Sequence, residues 1–107
     1  MIAHALPEDL VNYIAQIFAP EQHAEALHLL GQACMEDGTA ASPRLLRCAA
    51  FASRGHLAQL RRLVAMLALD WRDVVVAGEY EQQGAALVAV RDFEQPLPNR
   101  ADRAGRG

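Results

Sequence analysis

There is no lysine in the 107 residues; all ten basic positions are arginine. Aromatic residues are scarce at 6%, and the only cysteines are Cys34 and Cys48. Two thiols cannot build a disulfide framework, so nothing demands an oxidising compartment. No apolar run approaches the roughly 18 residues that a membrane span needs, because Asp, Glu, Arg, Gln or His keeps interrupting. The start, Met-Ile-Ala-His-Ala-Leu-Pro-Glu-Asp, has neither a basic n-region nor an apolar h-region and does not read as a secretory signal. Phosphate-cradling loops are also missing: Gly31, Gly38, Gly55, Gly78 and Gly84 stand isolated, without Walker or dinucleotide spacing. The expectation is a soluble cytoplasmic protein of one domain.

What is present is apolar and unevenly charged. The chain is 52% hydrophobic, with 21 alanines and 14 leucines, enough for one modest core. Arginine in place of lysine together with abundant alanine suggests a GC-rich bacterial genome. Residues 1–40 hold Glu8, Asp9, Glu21, Glu25, Glu36 and Asp37 with no arginine, a net −6. Residues 41–80 hold Arg44, Arg47, Arg54, Arg61, Arg62 and Arg72 against Asp70, Asp73 and Glu79, a net +3. Either the two segments face each other, within or between subunits, or the basic face is reserved for an acidic partner. The net charge of −3 argues against tight nucleic-acid binding.

The apolar spacing predicts an all-α domain, a compact bundle of about five short helices. Pro7-Glu8-Asp9 opens the first, in which Leu10, Tyr13, Ile14, Ile17 and Phe18 share a face. Pro20-Glu21 restarts the pattern, and Ala24, Leu27, Leu30, Gly31 and Cys34 carry it to about Glu36, before the turn residues Asp37-Gly38-Thr39. Ser42-Pro43 is an N-cap and first-turn pair for a third helix to Ala52, which Ser53-Arg54-Gly55 breaks. A fourth runs from about His56 to Leu69 with Leu57, Leu60, Leu63, Val64 and Leu67 as its stripe. Asp70 is read as the N-cap of a fifth, shorter helix with Trp71, Val74, Val75 and Gly78 on one face. The β-branched run Val74-Val75-Val76 and Gly84 before Ala-Ala-Leu-Val-Ala-Val keep a β-hairpin through residues 74–92 as the less favoured variant. The domain is placed at residues 1–93 and a flexible tail at 94–107.

The stretch Ser53-Arg-Gly-His-Leu-Ala-Gln-Leu-Arg-Arg-Leu-Val, followed by Asp70-Trp-Arg-Asp-Val-Val-Val-Ala-Gly-Glu-Tyr, resembles a segment shared by a group of small uncharacterised bacterial proteins. Their segment runs helix, Gly-Asp-Leu-type turn, Leu-rich helix, then Asp-Tyr/Trp-Arg-Asp-Val-Leu. The resemblance covers about residues 44–81, and this chain departs from it at Gly55-His56-Leu57, where the group has an acidic residue after the glycine. It implies a bacterial, intracellular helical unit and brings no activity, cofactor or catalytic residue with it.

Catalytic constellations are thin. Glu25 and His28 have the i, i+3 spacing of half a carboxylate-bridged di-iron site, but no second Glu-x-x-His completes it. Cys34 and Cys48 have no C-x-x-C partner and read as buried thiols. Ser42 and Ser53 are better explained as caps than as nucleophiles. No enzyme, cofactor or metal is therefore expected. A helix-turn-helix unit of the last three helices is conceivable, but its reading helix, Asp70 to Tyr80, would set three acids against Arg72. The remaining reading is a non-catalytic module that binds another protein or itself, an adaptor, inhibitor or immunity-type protein. Arg61, Arg62, Arg72, Trp71 and Tyr80 belong to the residue types that dominate interface energetics. DNA-binding regulation is the alternative, and no membrane is involved.

Overall fold

A computed structural model of the chain describes residues 6–97. Helix α1 spans Glu8–Ile17, a 3₁₀ turn spans Pro20–Gln22 and leads directly into α2, His23–Gly31, and α3 spans Pro43–Ser53. Helix α4 spans Leu57–Glu79 and runs into a hairpin of β1, Tyr80–Gln83, and β2, Ala86–Ala89. The first and third helices follow the apolar spacing closely. Ser42 caps α3 as expected, its hydroxyl accepting from the Leu45 N–H.

Four helices and a hairpin replace the five-helix, all-α expectation. The expected fourth and fifth helices form one element, because no loop intervenes between them. At Asp70 alone the backbone leaves the helical region, with φ −152° and ψ 89°. The Asp70 carboxylate accepts from the Arg72 N–H at 3.2 Å, as an N-cap does. The cap was legible; that the helix would resume at once, as a kink, was not. The hairpin exists but occupies residues 80–89, so the valine run stays helical and only the chain beyond Glu79 turns to strand. Two residues, Gly84 and Ala85, close it, and Gly84 takes φ +62°. A glycine first in a two-residue loop suits the twist of paired strands.

Helix α2 stops five residues earlier than expected. From Ala33 the chain instead folds back on itself: the Met35 N–H donates to Thr39 O at 2.8 Å and the Ala41 N–H to Ala33 O at 3.2 Å. Gly38, at φ +87°, makes that reversal with no strain. Asp37 fixes it by accepting from both the N–H and the hydroxyl of Thr39.

Helix α3 is the centre of the molecule, with Leu45, Leu46, Cys48, Ala49, Ala50 and Ala52 all buried. Small residues let its neighbours approach closely. A Cβ on Gly78 would lie 2.7 Å from the Cys48 Cβ and 2.8 Å from its Cα, so α4 can lie against α3 only because residue 78 has no side chain. Leu10 and Ile14 of α1, Ala26 and Leu30 of α2, and Leu60, Leu67 and Val74 of α4 complete the core. Phe93 and Leu97 cover it from the C-terminal side and are themselves buried. The latter falls within the stretch expected as tail, of which residues 94–97 are described and 98–107 lie outside the described residues. Among the described residues, no helix is long and apolar enough to cross a membrane.

Candidate functional site

Charge is used in two different ways. Arg44 and Arg47, one turn apart on α3, each clamp a carboxylate with two hydrogen bonds. Arg44 donates to Glu79 at 2.9 and 2.7 Å, and Arg47 donates to Asp9 at 2.9 and 3.1 Å. Glu79, at the end of α4, is only 3% exposed. Its Oε2 also accepts from the Phe93 N–H at 3.0 Å, while Asp9 accepts from the Leu97 N–H at 3.0 Å. Arg47 uses its remaining nitrogen on the Phe93 carbonyl at 3.0 Å. Both carboxylates therefore pin the segment 90–97 across α3. Arg44 holds the Glu79 carboxyl below its usual range, against the opposing effect of burial. Burial alone would raise the Asp9 carboxyl, but the bonds from Arg47 and the Leu97 N–H outweigh it and the carboxyl is lowered.

Cys48 lies beneath this cage. Burial, reinforced by the nearby Glu79 charge, pushes its thiol up to about 12, which removes the thiolate a nucleophile needs. Ion pairing also joins the acidic and basic halves of the sequence at two points. Asp9 meets Arg47, and Glu25 of α2 meets Arg61 of α4, so two members of the N-terminal acidic set are matched within the chain. Glu25 is thereby engaged by an arginine, and no group of three or more metal-ligating side chains converges among the described residues.

Four of the five residues expected to bind a partner are distributed along α4, and the fifth, Tyr80, opens β1. Arg61 is paired with Glu25, and Arg62 donates to Gln59 at 2.9 Å on the exposed face. Trp71 lies ten residues on from Arg61, roughly 15 Å at the helical rise, so the arginine pair and the indole are separate features. Arg72 accompanies Trp71, its guanidinium 5.8 Å from the ring centroid. Tyr80, at the start of β1, is half-buried against the core.

Trp71 is the member with a shaped surface around it. The indole is 42% exposed and, with Met35, separates two shallow depressions. One, of about 350 Å³, is lined by Glu36, Asp37 and Thr39 of the reversed loop. The other, of about 380 Å³, is lined by Ser42, Arg44, Leu45 and Glu94. Leu69, on the other side of the kink, is 74% exposed. Sequence reasoning found Trp71 but not Met35, the acidic loop or Glu94, because these are joined only by the early end of α2 and the return of segment 90–97. No protein-family model matches the chain, and neither a curated protein nor a solved structure does.

Proposed function

We propose that the chain is a non-catalytic module of the bacterial cytoplasm that binds another protein, as an adaptor, an inhibitor or an immunity-type protein, through the surface around Trp71. The exposed indole beside Met35 is the observation that carries this reading. A large aromatic next to an adaptable thioether, flanked by acidic side chains on one side and by Arg44 and Glu94 on the other, combines the anchor and polar rim of protein interfaces. The arrangement suits a partner segment that places an apolar side chain against Trp71 and a cation toward Glu36 and Asp37.

The alternative, DNA binding through the C-terminal half of α4, has less support. The exposed residues there are Trp71, Arg72, Asp73, Val76 and Ala77, with Val74, Val75, Gly78 and Glu79 turned inward. One cation balanced by one acid is a poor match for phosphate. Arg44 and Arg47, which could have contacted a DNA backbone, are committed to Glu79 and Asp9.

Purification of the tagged chain from its own host, with and without nuclease, tests the reading. A stoichiometric protein that survives nuclease and is lost with Trp71→Ala is the expected result. Recovery of nucleic acid, or of partners that disappear on nuclease treatment, would favour the DNA alternative.

A further inference from the structure

The hairpin carries an unguarded edge. From Ala85 to Val90 the sequence reads Ala-Ala-Leu-Val-Ala-Val, six apolar residues with no charge and no proline. Leu87 is 51% exposed and Val90 39%. The opposite strand differs, with Glu81, Gln82 and Gln83 facing solvent. Sheet edges are ordinarily protected by charge, proline, a bulge or a covering element. β1 has the first of these through Glu81. Within Ala86–Ala89 β2 has neither charge nor proline; the bulge that the Val90 and Arg91 N–H groups make on Glu79 O follows the strand, and β1 is the element against which it packs.

The register fixes which backbone groups are available. Glu81 lies opposite Val88, and Gln83 lies opposite Ala86. The Val90 N–H donates to Glu79 O at 2.8 Å, so residue 90 points its backbone inward. Antiparallel pairing alternates, which turns the N–H and C=O of Leu87 and Ala89 away from β1, toward the open edge.

We propose that two copies of the chain pair antiparallel through β2, giving a four-stranded sheet about a twofold axis. A second copy is the occupant because the edge is complementary to itself. With Val88 on the axis, Leu87 of each copy stands opposite Ala89 of the other, a large side chain against a small one. The outward groups of both residues then exchange four hydrogen bonds. No charges of like sign oppose one another, and the isologous arrangement closes at two copies. Four bonds over so short an edge make a weak dimer, populated at concentrations on the order of 100 μM and lost on dilution. This inference goes beyond the surface around Trp71 and does not depend on it.

Sedimentation of the full chain from about 5 to about 500 μM, a range that brackets weak self-association, tests the proposal. The wild type should move from monomer to dimer across that range. Ala89→Pro removes an outward donor without touching the ladder to β1, and Leu87→Lys brings like charges together on the diagonal of the paired edge. Each should weaken dimerisation at least tenfold while far-UV circular dichroism stays unchanged; Trp71→Ala should dimerise as the wild type does. A wild type that stays monomeric throughout would overturn the proposal. So would a dimer that persists in both β2 variants, or a monomer that uses β2 to hold a different protein.

Discussion

The return of the chain over α3 and the exposed stretch along the kink and hairpin handle polarity in opposite ways. Where the chain returns over α3, charge is turned inward: the buried Glu79 and Arg47 and the half-buried Asp9 hold Phe93 and Leu97 in place. Along the kink and the hairpin, hydrophobic groups are exposed instead: Leu69, Trp71, Leu87 and Val90. The difference separates two tasks. Bidentate arginine–carboxylate pairs fix a geometry in which every buried side-chain nitrogen and oxygen among the described residues finds a partner, so that side of the molecule is built to stay closed. Apolar groups left in water gain nothing from folding, and it is these groups that the interface proposed around Trp71 and the pairing proposed for β2 would use.

The largest effect should come from breaking the closed side at its tightest point. Gly78→Ala puts a Cβ inside the contact distance of the Cys48 backbone, forcing α3 and α4 apart. Chemical denaturation should show a loss of about 2–3 kcal/mol. Next, Arg47→Met removes the bond to the Phe93 carbonyl and both guanidinium bonds to Asp9, leaving Asp9 the Leu97 N–H alone. The expected loss is about 1.5–2.5 kcal/mol, with faster proteolysis after residue 90 as a second readout.

Acid should act on the same cage. The Asp9 and Glu79 carboxyls are both lowered in the folded protein. Their contribution is therefore complete above the unfolded values of about 3.9 and 4.3 and is lost as pH falls through and below them. Thermal unfolding followed from pH 7 to pH 3 should show stability falling below about pH 4.5. Glu79→Gln should flatten that fall.

Much of this comparison was hidden in the sequence for a physical reason. Helical periodicity located α1, α3 and α4, and the caps at Ser42 and Asp70 were legible because a cap is a local interaction. Glu79 counted in the sequence only as one of three acids of the expected last helix, because its partners, Arg44 and Phe93, lie 35 and 14 residues away. Leu97 read as tail because its covering role depends on Asp9, 88 residues distant. Trp71 was visible by residue type alone, whereas the hollows beside it require the short α2 and the returning segment. Long-range pairing decided what local pattern could not.

The smallest effect should come from the exposed ion pair. Arg61 and Glu25 are each about half exposed, so Arg61→Glu should change stability by no more than about 1 kcal/mol. Combining it with Glu25→Arg should restore most of that. A loss as large as that of Arg47→Met would mean that the two kinds of pair do not differ as described.

Native-state amide hydrogen exchange tests the contrast between the closed and open sides most directly. The Phe93 and Leu97 amides, held by the Glu79 and Asp9 carboxylates, should exchange as slowly as those of Leu46 and Ala49 in α3, through global unfolding. The amides of the Met35–Thr39 reversal, beside Trp71, should exchange well before them. If Phe93 and Leu97 exchanged as early as that loop, the charged cage would not close the core, and the division between the two sides would fail.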